Sequence, residues 1–408
     1  MTESIDTVVI GGGQAGLATS HELTEAGVEH VVLERDVVAS TWRGRWDSFC
    51  VVSPNSFINL PGGAYDGDDP EGFMLRDDLV AHLEHYAEGF GAPVRSGVDV
   101  TSLRPAEGGF ALETSNGPLS AGTVVVATGS YRRPHRSAGA AGLPADLAQL
   151  DVEDYRNPGS VPEGKVLIIG SGQSGCQLAE ELAAAGREVF LAAGRTASVP
   201  RRLGEHDVFW WLIETGFINQ PVATLPVPEA RLFGNPIATG RDGGHDLSLQ
   251  TLAAAGVNLL GHFVGAEGSA ARFAPDLADS VAWGNERVAQ LRELVFKAAD
   301  AQGITRPEVP DMAAVTGTPT ETLDLRGFGG VIHAGGFRPD YGGWIDVPGA
   351  FDRMGFPVHH DGASDAADGL YFVGTHFLRT RKSSLLWGVG EDAAIVAGGI
   401  AARAGISR

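Results

Sequence analysis

The sequence predicts an α/β chain built on two copies of one strand–turn–helix–strand unit. Three observations carry this expectation. A short apolar run ending at Ile10 opens into Gly11-Gly12-Gly13-Gln14-Ala15-Gly16. A second run, ending at Ile169, opens into Gly170-Ser171-Gly172-Gln173-Ser174-Gly175. Glycine accounts for 57 of 408 residues, about twice the usual share of roughly 7%. These glycines gather after apolar runs, where tight strand-to-helix turns require them.

The elements follow in order. Thr7–Ile10 reads as a strand, the residues to about Ala26 as an amphipathic helix, and His30–Leu33 as the next strand. Asp78–Phe90 reads as a helix, with Leu79, Leu83, Tyr86 and Phe90 on one face. Thr123–Ala127 is a buried strand ending in Thr128-Gly129. Arg132–Pro162 carries four prolines and reads as a loop-rich linker. Val166–Ile169, a helix to about Ala185, and Glu188–Ala192 then repeat the opening unit. Pro221–Gly244 reads as a surface excursion. Leu249–Ala254 and Val257–Leu260 read as helix and strand. Val281–Gln302 is a long helix whose face of Val288, Leu291, Val295 and Ala298 serves a core or a homodimer contact. Val331–Ala334 and Leu370–Val373 are strands, and Ile395–Ala404 ends the chain as a helix.

Composition narrows the function. The net charge of −21 and pI near 4.9 oppose binding to nucleic acid or to an anionic membrane. No window holds the ~18 uninterrupted apolar residues of a membrane span. Cys50 and Cys176 form neither a CxxC pair nor a zinc site, and their scarcity suits a reducing cytoplasm. The strand beginning within the first ten residues leaves no room for a signal peptide.

In the first turn Gly11 permits the sharp bend, Gly13 lets the backbone approach a pyrophosphate, and Gly16 lets helix and strand pack closely. The helix N-terminus offers free N–H groups to the phosphates. Glu34 closes the second strand, 23 residues after Gly11, where a carboxylate accepts from ribose hydroxyls. That acid opposes a 2′-phosphate and allows FAD or NAD. In the second turn Gly170, Gly172 and Gly175, with Gln173 and Ser174, repeat the pattern. Its second strand ends in Gly194-Arg195, with Arg201 and Arg202 close behind. Guanidinium in place of carboxylate suits the 2′-phosphate of NADPH. One chain with a site for each of two dinucleotides is most simply a flavoprotein that passes electrons from NADPH through FAD.

The residues resemble the class B flavin-dependent monooxygenases, which include the flavin-containing, YUCCA-like and Baeyer–Villiger enzymes. The resemblance covers nearly the whole chain. GGGQAG matches the FAD fingerprint, and Ala39-Ser40-Thr41-Trp42-Arg43 resembles the family's GxxW segment with Ala39 for Gly. Ala127-Thr128-Gly129 is similar to the ATG element, and Gly335-Gly336-Phe337-Arg338-Pro339-Asp340 to the second ATGY-x-P-D element. Tyr371-Phe372-Val373-Gly374 resembles the return to the flavin site. The resemblance implies two Rossmann-like domains, with an NADPH domain at 136–334 inserted into an FAD domain made of 1–135 and 335–408. It adds Gln14, Ala15, Arg35, Thr41, Trp42, Val100, Thr128, Gly129, Asp340 and Gly374 to the cofactor-binding set. It also implies that the last helix, starting near Trp387, points its N-terminus at the flavin pyrimidine. The implied reaction oxygenates a nitrogen, sulfur or carbonyl of a small molecule with O2 through a flavin C4a-(hydro)peroxide.

The family's inter-domain fingerprint carries a His where this chain has Asp151, while Tyr155 keeps the aromatic. This departure keeps open a reductase or dehydrogenase that delivers electrons to a quinone or carrier protein. A non-catalytic redox sensor is a third reading. For oxygenation the candidates are Asn55, aligned with an Asn that relatives use beside the peroxide, and His376, just past Gly374. Arg379-Thr380-Arg381-Lys382 is a basic cluster that contacts a nucleotide phosphate, an acidic substrate or solvent.

Overall fold

A computed structural model of the chain describes residues 2–232, 234–313, 315 and 320–406. The chain opens with β1 (Glu3–Ile10), α1 (Gln14–Glu25) and β2 (Val31–Glu34). Val8 and Val9 of β1 are fully buried, as are Leu17, Ala18 and Leu23 of α1. Each such leucine contributes roughly 2 kcal/mol of burial. Helix α2 (Arg76–Gly89) and β3 (Val94–Ser96) follow. Two antiparallel strands, Val100–Ala106 and Gly109–Thr114, then lead into β4 (Gly117–Val126). Only the end of β4 was expected as a strand.

The next segment holds β5 (Ala148–Asp151), β6 (Lys165–Ile169), α3 (Gln173–Ala184) and β7 (Val189–Ala192). After these come α4 (Val208–Glu214), β8 (Asn258–Leu260), α5 (Leu277–Gln302) and β9 (Phe328–His333). The chain closes with β10 (Leu370–Phe372) and α6 (Val389–Arg403). Helix α6 starts six residues before the expected Ile395. Strand β5 lies inside the stretch expected to be a loop-rich linker.

Among the described residues two large sheets share one plan. The first has a parallel core in the order β10-β4-β1-β2-β3. The second is parallel throughout, in the order β5-β9-β6-β7-β8. The repeat seen in the two glycine motifs therefore extends to five strands. Parallel strands of this kind are buried on both faces by helices, and the short apolar runs of β1, β4, β6 and β9 meet that need.

The connections between the sheets lie side by side, Arg133–Pro134 pairing antiparallel with Phe337–Arg338. A second seam joins them where Val222 N donates to Arg379 O at 2.8 Å and Arg381 N to Gln220 O at 3.0 Å. Helix α5 turns Val288, Leu291, Val295 and Ala298 onto Trp211, Leu212 and Leu203 of the same chain. Its expected apolar face is thus consumed within the fold.

Candidate functional site

The first glycine turn is locked by contacts that only glycine allows. Gly11 adopts φ +112°, and a Cβ there would lie 2.8 Å from Ala127 O, just past β4. A Cβ on Gly16 would lie 1.8 Å from Gly11 O. Gly13 is different, because no heavy atom lies within 4 Å of its Cβ position. The open side at Gly13 faces the N-terminus of α1, where unpaired N–H groups favour an anion.

Glu34 is buried and already oriented. Its Oε2 accepts from Gly12 N at 2.6 Å, and its Oε1 from Asp36 N at 3.0 Å and Ser40 Oγ at 3.1 Å. A carboxylate has about four acceptor positions, so room remains for a ribose hydroxyl. Gln14 spends its amide on the chain: Nε2 donates to Ser384 O at 2.7 Å, and Oε1 accepts from Trp42 Nε1 at 2.9 Å. Beside the turn, the Tyr341 hydroxyl donates to Gly129 O at 2.9 Å and accepts from Thr375 Oγ1 at 2.7 Å. A Cβ on Gly374 would lie 2.4 Å from Ala15 Cβ. Gly11, Ala15, Thr128 and Gly374 therefore converge. Thr128 Oγ1 is buried there with no hydrogen-bond partner among the described residues, and such a group calls for a polar ligand atom. The cradle fits a dinucleotide phosphate.

The second turn repeats this geometry closely. Gly170 also adopts φ +112°, its Cβ position lies 2.5 Å from Ala334 O, and that of Gly175 lies 2.0 Å from Gly170 O. Gly172 again has no heavy atom within 4 Å. The strand end differs. Ser171 Oγ accepts from Gly194 N at 3.1 Å, taking the bracing role that Glu34 has in the first unit. Arg195 is exposed and has no ion pair among the described residues. Gln173 clasps Ala238 through both ends of its amide, at 2.6 and 3.1 Å, and Ser174 lies partly buried in the turn.

A cavity of about 240 Å³ opens at the carboxyl ends of β6, β7 and β9, lined by His135, Ser137, Gly170, Gly194, His262 and His333 among others. Ligands of parallel α/β sheets bind at this edge. Ser137 Oγ and His333 Nδ1 are buried without partners among the described residues, so this site too carries polar groups suited to a ligand. His333 Nε2 meets Gln149 Oε1 at 3.0 Å. Burial pushes His333 down to about 4, so its imidazole is neutral at pH 7.

The two turns lie within residues 8–202, which match the family model described as pyridine nucleotide-disulphide oxidoreductase. An uncharacterized CzcO-like oxidoreductase of Geobacillus kaustophilus is 29% identical over 96% of this chain and 97% of its own. The indole-3-pyruvate monooxygenase YUCCA1 of Oryza sativa is 30% identical over 48% of this chain and 50% of its own. In fold, the chain matches the flavin-containing monooxygenase from Stenotrophomonas maltophilia with a TM-score of 0.63 at 21% identity, covering 99% of this chain and 100% of that one. The chain is thus similar to flavin-dependent monooxygenases in sequence over about half its length and in fold over nearly all of it. It is an oxidoreductase.

Other family-derived residues fall as follows. Arg35 is exposed and paired with Asp36, and Thr41 is exposed. Val100 packs on the apolar cluster that holds Val98 and Leu103. Asp340 is partly buried just past the Phe337–Arg338 strand. Ala39, which replaces the family Gly, adopts φ +60°, the conformation that favours glycine. Asp151, in the place of the family His, is held by both Nε and Nη2 of Arg136, at 2.9 and 2.8 Å.

Three sequence expectations need correction. Arg201, read as a 2′-phosphate ligand, is buried: its Nη2 lies 2.7 Å from Asp207 Oδ2, with both side chains 3% exposed. Its Nη1 donates to Val52 O at 2.7 Å, and its guanidinium lies 4.3 Å from the Phe73 ring centre. It braces the second unit against the first. Arg202, read the same way, is turned to Glu71 at 3.5 Å. Asn55 does not present its amide to an oxygen adduct. Its Nδ2 donates to Asp69 O at 2.9 Å, and its Oδ1 accepts from Met74 N at 2.7 Å, so it braces a loop.

His376 is buried, its N–H held by Ser130 Oγ at 3.0 Å. Its Nδ1 lies 3.4 Å from both Tyr131 Oη and Ser384 Oγ. The segment from Thr375 to Ser384 thus touches the first turn through Ser384 and the β4 exit through Ser130. Neither Tyr341 nor His333 was expected at a site. The available signal was a polar residue at the end of an apolar strand, as His333 is. Burial raises the Cys50 thiol to about 11 and Cys176 to about 12, which suits packing and not thiol redox chemistry.

Proposed function

We propose that this protein is an NADPH-dependent FAD monooxygenase acting on a small molecule. FAD is assigned to 1–135 with 335–408, and NADPH to 136–334. The observation that carries the reading is the pair of matching turns with unlike strand ends, an oriented carboxylate at Glu34 and an unpaired guanidinium at Arg195. FAD, when bound, would take two electrons from NADPH and activate O2, one oxygen atom entering the substrate nitrogen, sulfur or carbonyl and the other leaving as water.

The chain's own residues do the positioning. Gly13 and the α1 N-terminus would receive the FAD pyrophosphate, Glu34 a ribose hydroxyl, and Thr128 Oγ1 a further polar atom. Gly172 and the α3 N-terminus would receive the NADPH pyrophosphate, and Arg195 its 2′-phosphate. A second cavity, of about 720 Å³, adjoins the start of α6 and is lined by Asn59, Asp66, Asn219, Lys382, Trp387 and Glu391 among others. It is large enough for a small-molecule substrate.

The Arg136–Asp151 pair, standing in place of the family His, favours a second reading. In that reading the reduced flavin delivers electrons to a quinone or carrier protein. The nucleotide assignment is tested by Arg195→Ser. Loss of a charge-assisted contact of about 1.5–3 kcal/mol raises the NADPH Kd about tenfold or more, with NADH unaffected. Equal effects on both nucleotides would remove Arg195 from the 2′-phosphate.

A further inference from the structure

The basic run at 379–382 separates into unlike members. Arg379 bridges Asp361 at 2.8 Å and Asp392 at 3.0 Å. Lys382 is neutralised by Glu391. Arg381 has no ion pair among the described residues. Its Nη1 and Nη2 donate to neutral amide oxygens, Asn235 Oδ1 at 3.3 Å and Gln220 Oε1 at 2.7 Å. Its Nε is buried with no acceptor among the described residues. The guanidinium carbon lies near two rings, 4.2 Å from the centre of Phe217 and 4.8 Å from that of Phe377.

This is a costly arrangement to keep without an anion. Charged groups taken from water are paired as a rule. The chain carries 51 acidic residues against 30 basic ones, so acids are not scarce, yet among the described residues none pairs with Arg381. Burial pushes the Arg381 guanidinium down to about 10.

The location adds to the argument. The Phe377 ring, fully buried, contacts the His376 ring at 4.9 Å. Phe377 adopts φ +52°, a conformation uncommon outside glycine and enriched at functional turns. Arg381 is thus one ring removed from the residues that touch both the first glycine turn and the β4 exit.

We propose that Arg381 anchors the carboxylate of the substrate, and that the substrates of this enzyme are small organic acids. The donors of a guanidinium lie at its edge, in one plane, and the Nε–H of Arg381 has no acceptor among the described residues. An Nε–H and an Nη–H side by side match the two oxygens of a planar carboxylate. A nucleotide phosphate offers the same oxyanion chemistry, but the phosphates have places at Gly172 and Arg195. The inference rests on the proposed reading of a small-molecule substrate.

The test is equilibrium binding to the flavin-loaded protein, followed by calorimetry, with acetate, phenylacetate and benzoate as probes. Benzamide serves as the neutral counterpart of benzoate, and NADP+ as the second arm. At least one acid binds wild type, benzoate outcompetes benzamide, and Arg381→Gln weakens acid binding about tenfold or more. Arg381→Lys restores part of it, and NADP+ binding is not weakened. The wild-type comparison of benzoate with benzamide holds even if Arg381→Gln fails to fold. Three outcomes overturn the proposal: no acid binds wild type, benzamide binds as well as benzoate, or Arg381→Gln binds acids normally. A loss confined to NADP+ would assign the oxyanion to the nucleotide and overturn it as well. Anaerobic reduction of wild-type flavin by NADPH reads the underlying function separately.

Discussion

Gly16→Ala abolishes the flavoprotein, whereas Gly13→Ala spares the fold and weakens flavin binding. A Cβ at Gly16 meets Gly11 O at 1.8 Å, far inside contact distance, and the obstacle is backbone. Helix α1 must then back away from β1, which breaks the close packing of Ala18 and Leu23 beneath it. At Gly13 the Cβ meets nothing within 4 Å. The chain accepts it, but it occupies the side from which a pyrophosphate approaches. Expected results are a Gly13→Ala protein with wild-type circular dichroism and flavin affinity reduced about tenfold or more, and a Gly16→Ala protein of poor solubility with little bound flavin. Gly172→Ala and Gly175→Ala divide in the same way, with NADPH as the lost ligand of the former. Wild-type flavin affinity in Gly13→Ala would falsify the assignment of the first turn to a phosphate.

Asp207→Asn carries the second large effect. Arg201 and Asp207 form an ion pair in which both side chains are 3% exposed. Burial lowers the Arg201 guanidinium and raises the Asp207 carboxyl, while their mutual attraction opposes both shifts. Removing one charge leaves the other buried and uncompensated, at about 3–5 kcal/mol. Melting should fall by roughly 10 °C on the usual scaling for a domain of this size. Because Arg201 also reaches Val52 O and Phe73, flavin release should accompany melting. Replacing both residues together, Arg201→Met with Asp207→Leu, should recover much of the loss. A single variant that melts like wild type would remove the pair from the stability of the junction.

The legible parts of the sequence were those set by local backbone geometry. The glycine turns, the Glu34 strand end and Arg195 depend on residues close in sequence, and the structure displays them as two versions of one unit. The misread residues depend on side-chain direction. Arg201 follows Arg195 by six positions, yet Asp207 and Val52 draw its guanidinium inward. Asn55 is claimed by Asp69 and Met74, 14 and 19 residues away, which alignment alone does not show. Strand β5 was hidden because prolines flank it and only its pairing with β9 makes it a strand. The isolation of Arg381 was likewise invisible, since its neighbours Arg379 and Lys382 look the same in sequence and differ only in their partners.

The measurement to make is anaerobic reduction of the purified flavoprotein with NADPH, beside NADH, followed by admission of oxygen under rapid spectral recording. The expected result is that NADPH bleaches the flavin in preference to NADH. On oxygen a transient should appear that absorbs to the blue of oxidised flavin and lasts about a second or longer. Flavin that NADPH does not bleach would contradict the two-dinucleotide account. Direct return of oxidised flavin with stoichiometric peroxide, even with organic acids present, would contradict the monooxygenase and leave the electron-delivering reductase.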